Sequence, residues 1–223
     1  MGTVIIQEHT SLKPITLIGE EAGVCYNSAS TDEKNYKRGL ECIRTNHGRT
    51  LEFPQVYMIL DGYSARVIRE FYTHICDNPS RLQASTRYIK YGEFDYIIPK
   101  TITEGSPEYD KYVEIMTNIS DGYKELIDLG VSKEDVANIL PLGMTSKVIV
   151  RTNLRSLISM SKQRLCTRAY WEFRQLMNDI TKALAEYSSE WKELVENEKV
   201  FYPKCDDLGY CPEKKGCGRY ATK

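Results

Sequence analysis

The chain lacks most of the features that would settle its class at a glance. Its 223 residues carry 30 Lys and Arg against 31 Asp and Glu, so the formal charge is −1. That balance excludes a polybasic nucleic-acid binder, and any arginine-rich site must be local. No apolar run approaches the roughly 18 residues of a membrane span. The start, MGTVIIQEHT, lacks the basic n-region and long apolar h-region of a signal peptide, and it lacks the Ser or Thr of a myristoylation site. No Walker loop, no Gly-x-Gly-x-x-G and no Gly-x-Ser-x-Gly elbow occurs. Only three histidines are present, too far apart for a His-x-x-x-His pair, so a metallohydrolase is poorly supported.

Seven cysteines are present, an odd number. Cys25, Cys42, Cys76 and Cys166 are scattered, as in a reduced protein, and the expected location is cytoplasmic. Cys205-x5-Cys211-x5-Cys217 clusters near the end. The spacing departs from the short Cys-x-x-Cys pairs of zinc sites and no His follows. A metal clip with a fourth ligand from elsewhere and unpaired tail thiols are the two readings; no metal ligand is assigned.

What is present organises around Thr73–Tyr88, THICDNPSRLQASTRY. The Asp77-Asn78 pair and Pro79 break any helix there. Ser64–Phe71 before it reads as helix, and Tyr88–Ile98 after it, rich in Tyr and Ile, as strand. Arg81, Gln83, Ser85 and Arg87 alternate, so an extended segment puts them on one face. Guanidinium and amide groups there suit bidentate contacts to a phosphate or a planar base. A solvated polar loop is the plain alternative.

Along the rest of the chain, Thr3–Glu8 and Ile15–Ile18 are strand candidates, with a helix through Glu20–Tyr26. Ser30-Thr31-Asp32 offers N-cap chemistry for a helix over Glu33–Thr45, ended by Asn46-His47-Gly48. Leu51–Leu60 reads as a strand turning at Asp61-Gly62. Gly105-Ser106-Pro107 opens a long helix to Gly130. Ser132–Asp135 caps a short one up to Pro141. Lys147–Arg151 reads as strand, then Asn153–Gln163 and Arg168–Tyr187 as helices. Short strands among long helices argue α+β, or mixed α/β, rather than a doubly wound sheet. The expected organisation is one domain over 1–200 and a cysteine-bearing tail over 201–223.

Further constellations follow. His47-Gly48-Arg49-Thr50-Leu51-Glu52 puts a titratable His and a carboxylate at a helix–strand junction, which suits a cofactor edge or simple capping. Arg151, Asn153 and Arg155 surround a strand–helix junction, where helix N-termini favour anions; ordinary surface arginines are the alternative. Phe173, Leu176 and Met177 read as a core stripe.

Taken together, these segments resemble the flavin-dependent thymidylate synthases. That family carries Arg-His-Arg, a loop with Ser, then Glu-x-Ser-x-Arg-Tyr. His74 falls on the central histidine and Gln83-Ala84-Ser85-Thr86-Arg87-Tyr88 on the second motif. His47-Gly48 with Leu51-Glu52, Gly62-Tyr63-Ser64, Ile139-Leu140-Pro141, Lys147–Arg155 and Arg164 with Arg168–Arg174 follow in family order. The tail also looks like one found in some members. Departures lie at Thr73 and Ile75 in place of arginines, Gln83 in place of Glu, a loop about two residues longer, and Ala137 before Leu-Pro. Arg69, Arg81 or Arg151 are the candidate replacements.

The resemblance implies a central, mostly antiparallel sheet flanked by long helices, a homotetramer with active sites shared between subunits, and conversion of dUMP to dTMP. Methylenetetrahydrofolate would give the one-carbon unit and NADPH would reduce FAD. Arg87 and Arg164 would hold the nucleotide, with Arg164 near the uracil as the catalytic residue. Gln83 and Ser85 would line the same site, with Ser85 not a nucleophile. His47, Glu52, His74, Asn153 and Arg155 would contact FAD. A related methyltransferase on another pyrimidine nucleotide, a non-catalytic nucleotide-binding homologue and a zinc-clipped interaction protein are the competing expectations.

Overall fold

The computed structural model describes residues 2–28, 30–76 and 79–223. Its elements are β1 (Thr3–Ile6), α1 (Pro14–Cys25), α2 (Asp32–Arg44), β2 (Gln55–Ser64), α3 (Ala65–Phe71), β3 (Ser80–Gln83), α4 (Pro107–Asp128), α5 (Lys133–Val136), β4 (Thr145–Asn153), α6 (Leu154–Arg164), α7 (Trp171–Tyr187), α8 (Ser189–Lys192) and α9 (Lys204–Leu208). The strands form one sheet in the order β1-β2-β4-β3. Its pairings are antiparallel: Gln7 N donates to Tyr57 O, Ala65 N to Met144 O and Ala84 N to Lys147 O. This is the expected mixed α+β architecture.

The chain divides into two compact units. One holds residues up to Thr3, Leu60–Thr73 and Leu82–Val148; the other holds Val4–Ile59, His74–Arg81 and Ile149–Lys223. In the second, Val56 and Met58 of β2, Val150 of β4, and Leu154, Leu157, Phe173, Leu176, Met177, Ile180 and Trp191 are fully buried. In the first, Leu60, Tyr63, Val67, Ile68, Phe71, Tyr123 and Val148 make the core. The period-two alternation of β2 and β4 produces this.

Local chemistry sets most helix ends. Thr31, Ser64, Ser106, Ser132 and Asn153 each accept a backbone N–H three residues on, at Lys34, Val67, Tyr109, Asp135 and Ser156. These are the N-cap bonds that satisfy otherwise orphaned donors. Helix α2 ends in a Schellman motif: Asn46 has φ +55°, its N–H reaches Ile43 O, and His47 N reaches Cys42 O. Helices α1 and α2 cross at glycines. A Cβ on Gly19 would overlap Asn35 O, and one on Gly39 would overlap Ile15 O.

Several expectations are corrected. Ile15–Ile18 lies inside α1, opened by Pro14. A short apolar run fits a buried helix as well as a strand, and the α1–α2 crossing decides it. Strand β2 begins at Gln55, after a 3-10 turn over Thr50–Glu52. It then runs through Asp61-Gly62 to Ser64, where Gly62 takes φ +77° without ending the strand. Tyr88–Ile98 forms no strand and makes only the bridge Tyr96–Met144. The edge of β4 is taken instead by Ser80–Gln83, because strand propensity yields to which segment reaches the ladder. Helix α7 starts at Trp171, not Arg168. The breaker pair Asp77-Asn78 lies outside the described residues.

Candidate functional site

Two clusters of expected site residues form, one in each unit. In the second unit His74 is half-buried. Its Nε2 accepts a hydrogen bond from Arg164 Nε at 2.8 Å, and its backbone carbonyl accepts from Arg81 Nη2. Both side chains rest on Phe173. The guanidinium of Arg164 lies 4.5 Å over the ring centroid, and the His74 ring meets it edge-on at 5.7 Å. Such stacking fixes a planar cation without taking its donors. Burial, then the nearby Arg164 and Arg81 charges, lower the His74 pKa to about 4. The imidazole is therefore neutral at pH 7, and the accepting Nε2 puts its proton on Nδ1.

Asn153 ends β4 and caps α6. It is 0 % exposed, its Oδ1 accepts from Ser156 N at 2.8 Å, and its buried Nδ2 finds no partner among the described residues. A buried amide donor without an acceptor is costly, and it marks a place where a ligand acceptor would be favourable. Arg155, on the first turn of α6, pairs with Glu52, which Arg49 also reaches at 3.2 Å. These cations hold the Glu52 carboxyl below its usual range, the Arg155 bond foremost. Gly48 lies against Arg155: a Cβ there would be 3.5 Å from the guanidinium carbon. His47, beside it, is exposed, and its carbonyl takes the Thr50 hydroxyl at 2.8 Å. Arg151 donates to Gln55 Oε1 at 3.3 Å and to Ser80 Oγ at 3.4 Å.

In the first unit, Gln83 Nε2 donates to Ser146 Oγ at 3.1 Å. Ser85 Oγ accepts from Arg87 N at 3.2 Å, and Arg87 Nε pairs with Glu134 at 3.1 Å. The expected shared face of Arg81, Gln83, Ser85 and Arg87 is corrected here. Alternation holds only to Gln83, after which Tyr88 N and Ile89 N both turn back to Ser85 O. Of the three candidate replacement arginines, Arg81 and Arg151 belong with the histidine cluster's unit, while Arg69 lies on α3 in the other.

The core reading of Phe173 was correct but incomplete. A buried ring carrying both a cation and an imidazole is a positioning element, and its helical period signals only burial. Arg174 likewise donates to Thr167 O and Ala169 O at 2.8 and 2.9 Å, clasping the loop after Arg164. Nothing in its own sequence context announces that role. Among the described residues no three His, Cys, Asp or Glu are placed to hold a metal.

Fold and clusters together define a mixed α+β protein that presents fixed guanidiniums, a neutral histidine and amides, with no nucleophile–base unit among the described residues. Residues 7–188 match the thymidylate synthase complementing protein family. The chain is 31% identical over 173 residues to the flavin-dependent thymidylate synthase of Pyrococcus abyssi (strain GE5 / Orsay), covering 76% of this chain and 69% of the relative. The corresponding enzyme of Clostridium tetani (strain Massachusetts / E88) is 26% identical, covering 99% of this chain and 95% of its own. The backbone is similar to a crystal structure of flavin-dependent thymidylate synthase ThyX from Helicobacter pylori complexed with FAD and dUMP. The TM-score there is 0.67 at 18% identity, over 86% of this chain and 98% of that one. The chain belongs to the thymidylate synthase complementing protein family, the flavin-dependent thymidylate synthases.

Proposed function

We propose that the protein converts dUMP, methylenetetrahydrofolate and NADPH to dTMP, tetrahydrofolate and NADP+, with FAD as its cofactor. The observation that carries this reading is the Arg164–His74–Phe173 cluster, a guanidinium stacked on an aromatic ring and hydrogen-bonded to a neutral imidazole. A fixed guanidinium of that kind suits a uracil that gains negative charge as its C5 is alkylated.

The residues fit a flavin. Asn153 offers a buried, unsatisfied amide donor at a helix N-terminus. Arg155 with Glu52, His47 and His74 supply further polar groups in the same unit. Bound FAD would supply the redox chemistry, the reducing equivalents of NADPH passing through it to the methylation. The chain's own residues bind and orient. Arg87 holds the nucleotide phosphate as a planar fork, Gln83 and Ser85 line the same site, and Arg164 polarises the base. The active unit is a homotetramer with sites shared between subunits, so the two clusters acting on one ligand need not come from one protomer. Residues 1–200 form the catalytic domain and 201–223 an appendage. All seven cysteines are free thiols, which suits a cytoplasmic enzyme. No helix among the described residues is long and apolar enough to cross a membrane.

A second reading is favoured by Thr73, Ile75 and Ala137. Thr73 donates its hydroxyl to Glu70 O, and Ile75 is 75% exposed. An exposed apolar residue where the family resemblance implies a cation would alter the ligand face. The second reading is a C5-methyltransferase on another pyrimidine nucleotide.

The test is the visible spectrum of the purified protein, followed by anaerobic NADPH with and without dUMP, UMP or dCMP. Oxidised flavin that bleaches at a rate changed by dUMP, with dTMP formed, supports the first reading. Turnover only with UMP or dCMP transfers support to the second. A colourless protein that gains no flavin spectrum on FAD titration rejects both.

A further inference from the structure

Residues 201–223 lie beyond the family match, which ends at 188. A cavity of about 340 Å³ there is lined by four thiols, Cys166, Cys205, Cys211 and Cys217, together with Arg168 and Arg219. Because no metal-ligating trio converges among the described residues, the thiols by themselves define no metal centre. The contacts between this tail and the chain around Arg164 have a different pattern. They bracket Arg164 in sequence.

Just before Arg164, Ser161 Oγ donates chiefly to Ile158 O at 2.8 Å and lies within 3.4 Å of Tyr202 O. Lys162 pairs with Asp207 at 2.7 Å while lying 5.2 Å over the Tyr202 ring. Just after Arg164, Arg168 pairs with Glu213 at 3.5 Å. The Arg219 N–H, and after it the Thr167 hydroxyl, hold the Cys217 thiol below its usual range, and Thr167 and Cys217 both line the cavity. From the other side, Arg174 clasps the Thr167 and Ala169 carbonyls. The tail is itself braced: Arg219 makes two bonds to Asp206, at 2.7 and 2.6 Å, and Cys211 N donates to Ala221 O. Loop 165–170 is thus held between Arg174 and the tail, and Arg164 is the residue from which it departs.

We propose that residues 202–219 are a strap that positions loop 165–170, and through it the Arg164 guanidinium, for nucleotide binding. Glu213 is its positioning residue. This rests on the reading of Arg164 as a nucleotide contact. Each contact is partly exposed and individually weak, so the strap acts by summation and by charge pattern.

The experiment compares Glu213→Arg, Arg168→Glu and their double swap in the full chain. Glu213→Arg is expected to lower kcat/KM for dUMP about fivefold, an effect of the size of one partly exposed ion pair. FAD affinity and Tm should stay at wild-type values, and the double swap should restore kcat/KM to within about twofold. Hydrogen exchange of the amides of residues 164–170 is followed in each variant. It should rise in Glu213→Arg and return in the double swap. Unchanged exchange and unchanged nucleotide kinetics overturn the strap, and so does a parallel loss of FAD affinity and Tm. If the wild type binds neither FAD nor dUMP, the functional reading fails while the exchange data still decide the strap.

Discussion

Arg164 Nε donates to the Nε2 of His74 at 2.8 Å, across 90 positions of sequence. Donor and acceptor are matched only while the imidazole is neutral, and Phe173 beneath holds both planes. His74→Phe removes the acceptor and leaves a partly buried guanidinium N–H unmatched, a cost of about 1–3 kcal/mol. His74→Gln keeps an amide oxygen to accept. The expected order of kcat/KM for dUMP is wild type, then Gln, then Phe. Arg164→Lys should be nearly as damaging as Arg164→Ala, roughly a hundredfold in kcat, because an ammonium cannot keep the planar fork. Steady-state kinetics check both, and a fully active Lys variant would refute the assignment.

The same pair sets an acid limit. His74 has its folded pKa lowered to about 4 from the model-compound value of 6.5. Below 6.5 the unfolded chain binds a proton that the folded chain does not, so stability falls as pH drops toward 4. Above 6.5 this group contributes no pH dependence. After allowance for partial exposure, the loss is on the order of 1–2 kcal/mol. Urea midpoints at pH 7, 5.5 and 4.5 should decline in wild type, with a smaller decline in His74→Gln.

Arg87 pairs with Glu134 across exposed surface, with side chains 63% and 61% accessible. Such a pair adds little to stability, which leaves the guanidinium available to a phosphate. Arg87→Ala should weaken dUMP binding more than about tenfold, as expected for losing a charge-assisted bidentate contact, with FAD affinity nearly unchanged. Glu134→Gln should leave both close to wild type. Equal losses of dUMP and FAD affinity in Arg87→Ala would sink the assignment.

Asn153 separates structure from binding within one side chain. Its Oδ1 caps α6, while its Nδ2 is the buried donor left over. Asn153→Ser keeps a capping oxygen and loses the amide donor, so FAD affinity should fall with only a small change in Tm. Asn153→Ala loses both, with about 1 kcal/mol or more of stability. Fluorescence titration with FAD alongside thermal melts distinguishes the two.

The α1–α2 crossing depends on two absent Cβ atoms. Gly19→Ala and Gly39→Ala each force carbon against the facing backbone carbonyl. Each should cost about 2 kcal/mol or more by overpacking. A shift of the urea midpoint with unchanged slope would confirm it, and wild-type stability in either would show that the helices simply part.

The helix openings at Thr31, Ser106 and Ser132 were readable from short windows, because a cap bond spans three residues and needs nothing else, whereas Ser64 and Asn153 read as helical and are in fact the N-caps. The strands were less readable. Tyr88–Ile98 carries the stronger strand composition, yet Ser80–Gln83 pairs with β4. Pairing depends on which segment reaches a partner's backbone, and side-chain type does not reveal that. Likewise, Ile15–Ile18 is apolar enough for a strand, and only the glycine-mediated approach of α2 shows that a helix fits there.

By itself the sequence determined the helix openings at Thr31, Ser106 and Ser132, the strand character within β2 and β4, the near-neutral charge and the ordered motifs from His47 to Arg174 that identify the family. These rest on chemistry within a few residues, or on motif order. Tertiary structure alone decided that Arg164 meets His74 over Phe173, that Asn153 keeps a buried unmatched donor, and that the tail brackets the Arg164 loop. Each of these joins groups distant in sequence, and burial and hydrogen-bond geometry acquire values only once the chain has brought them together.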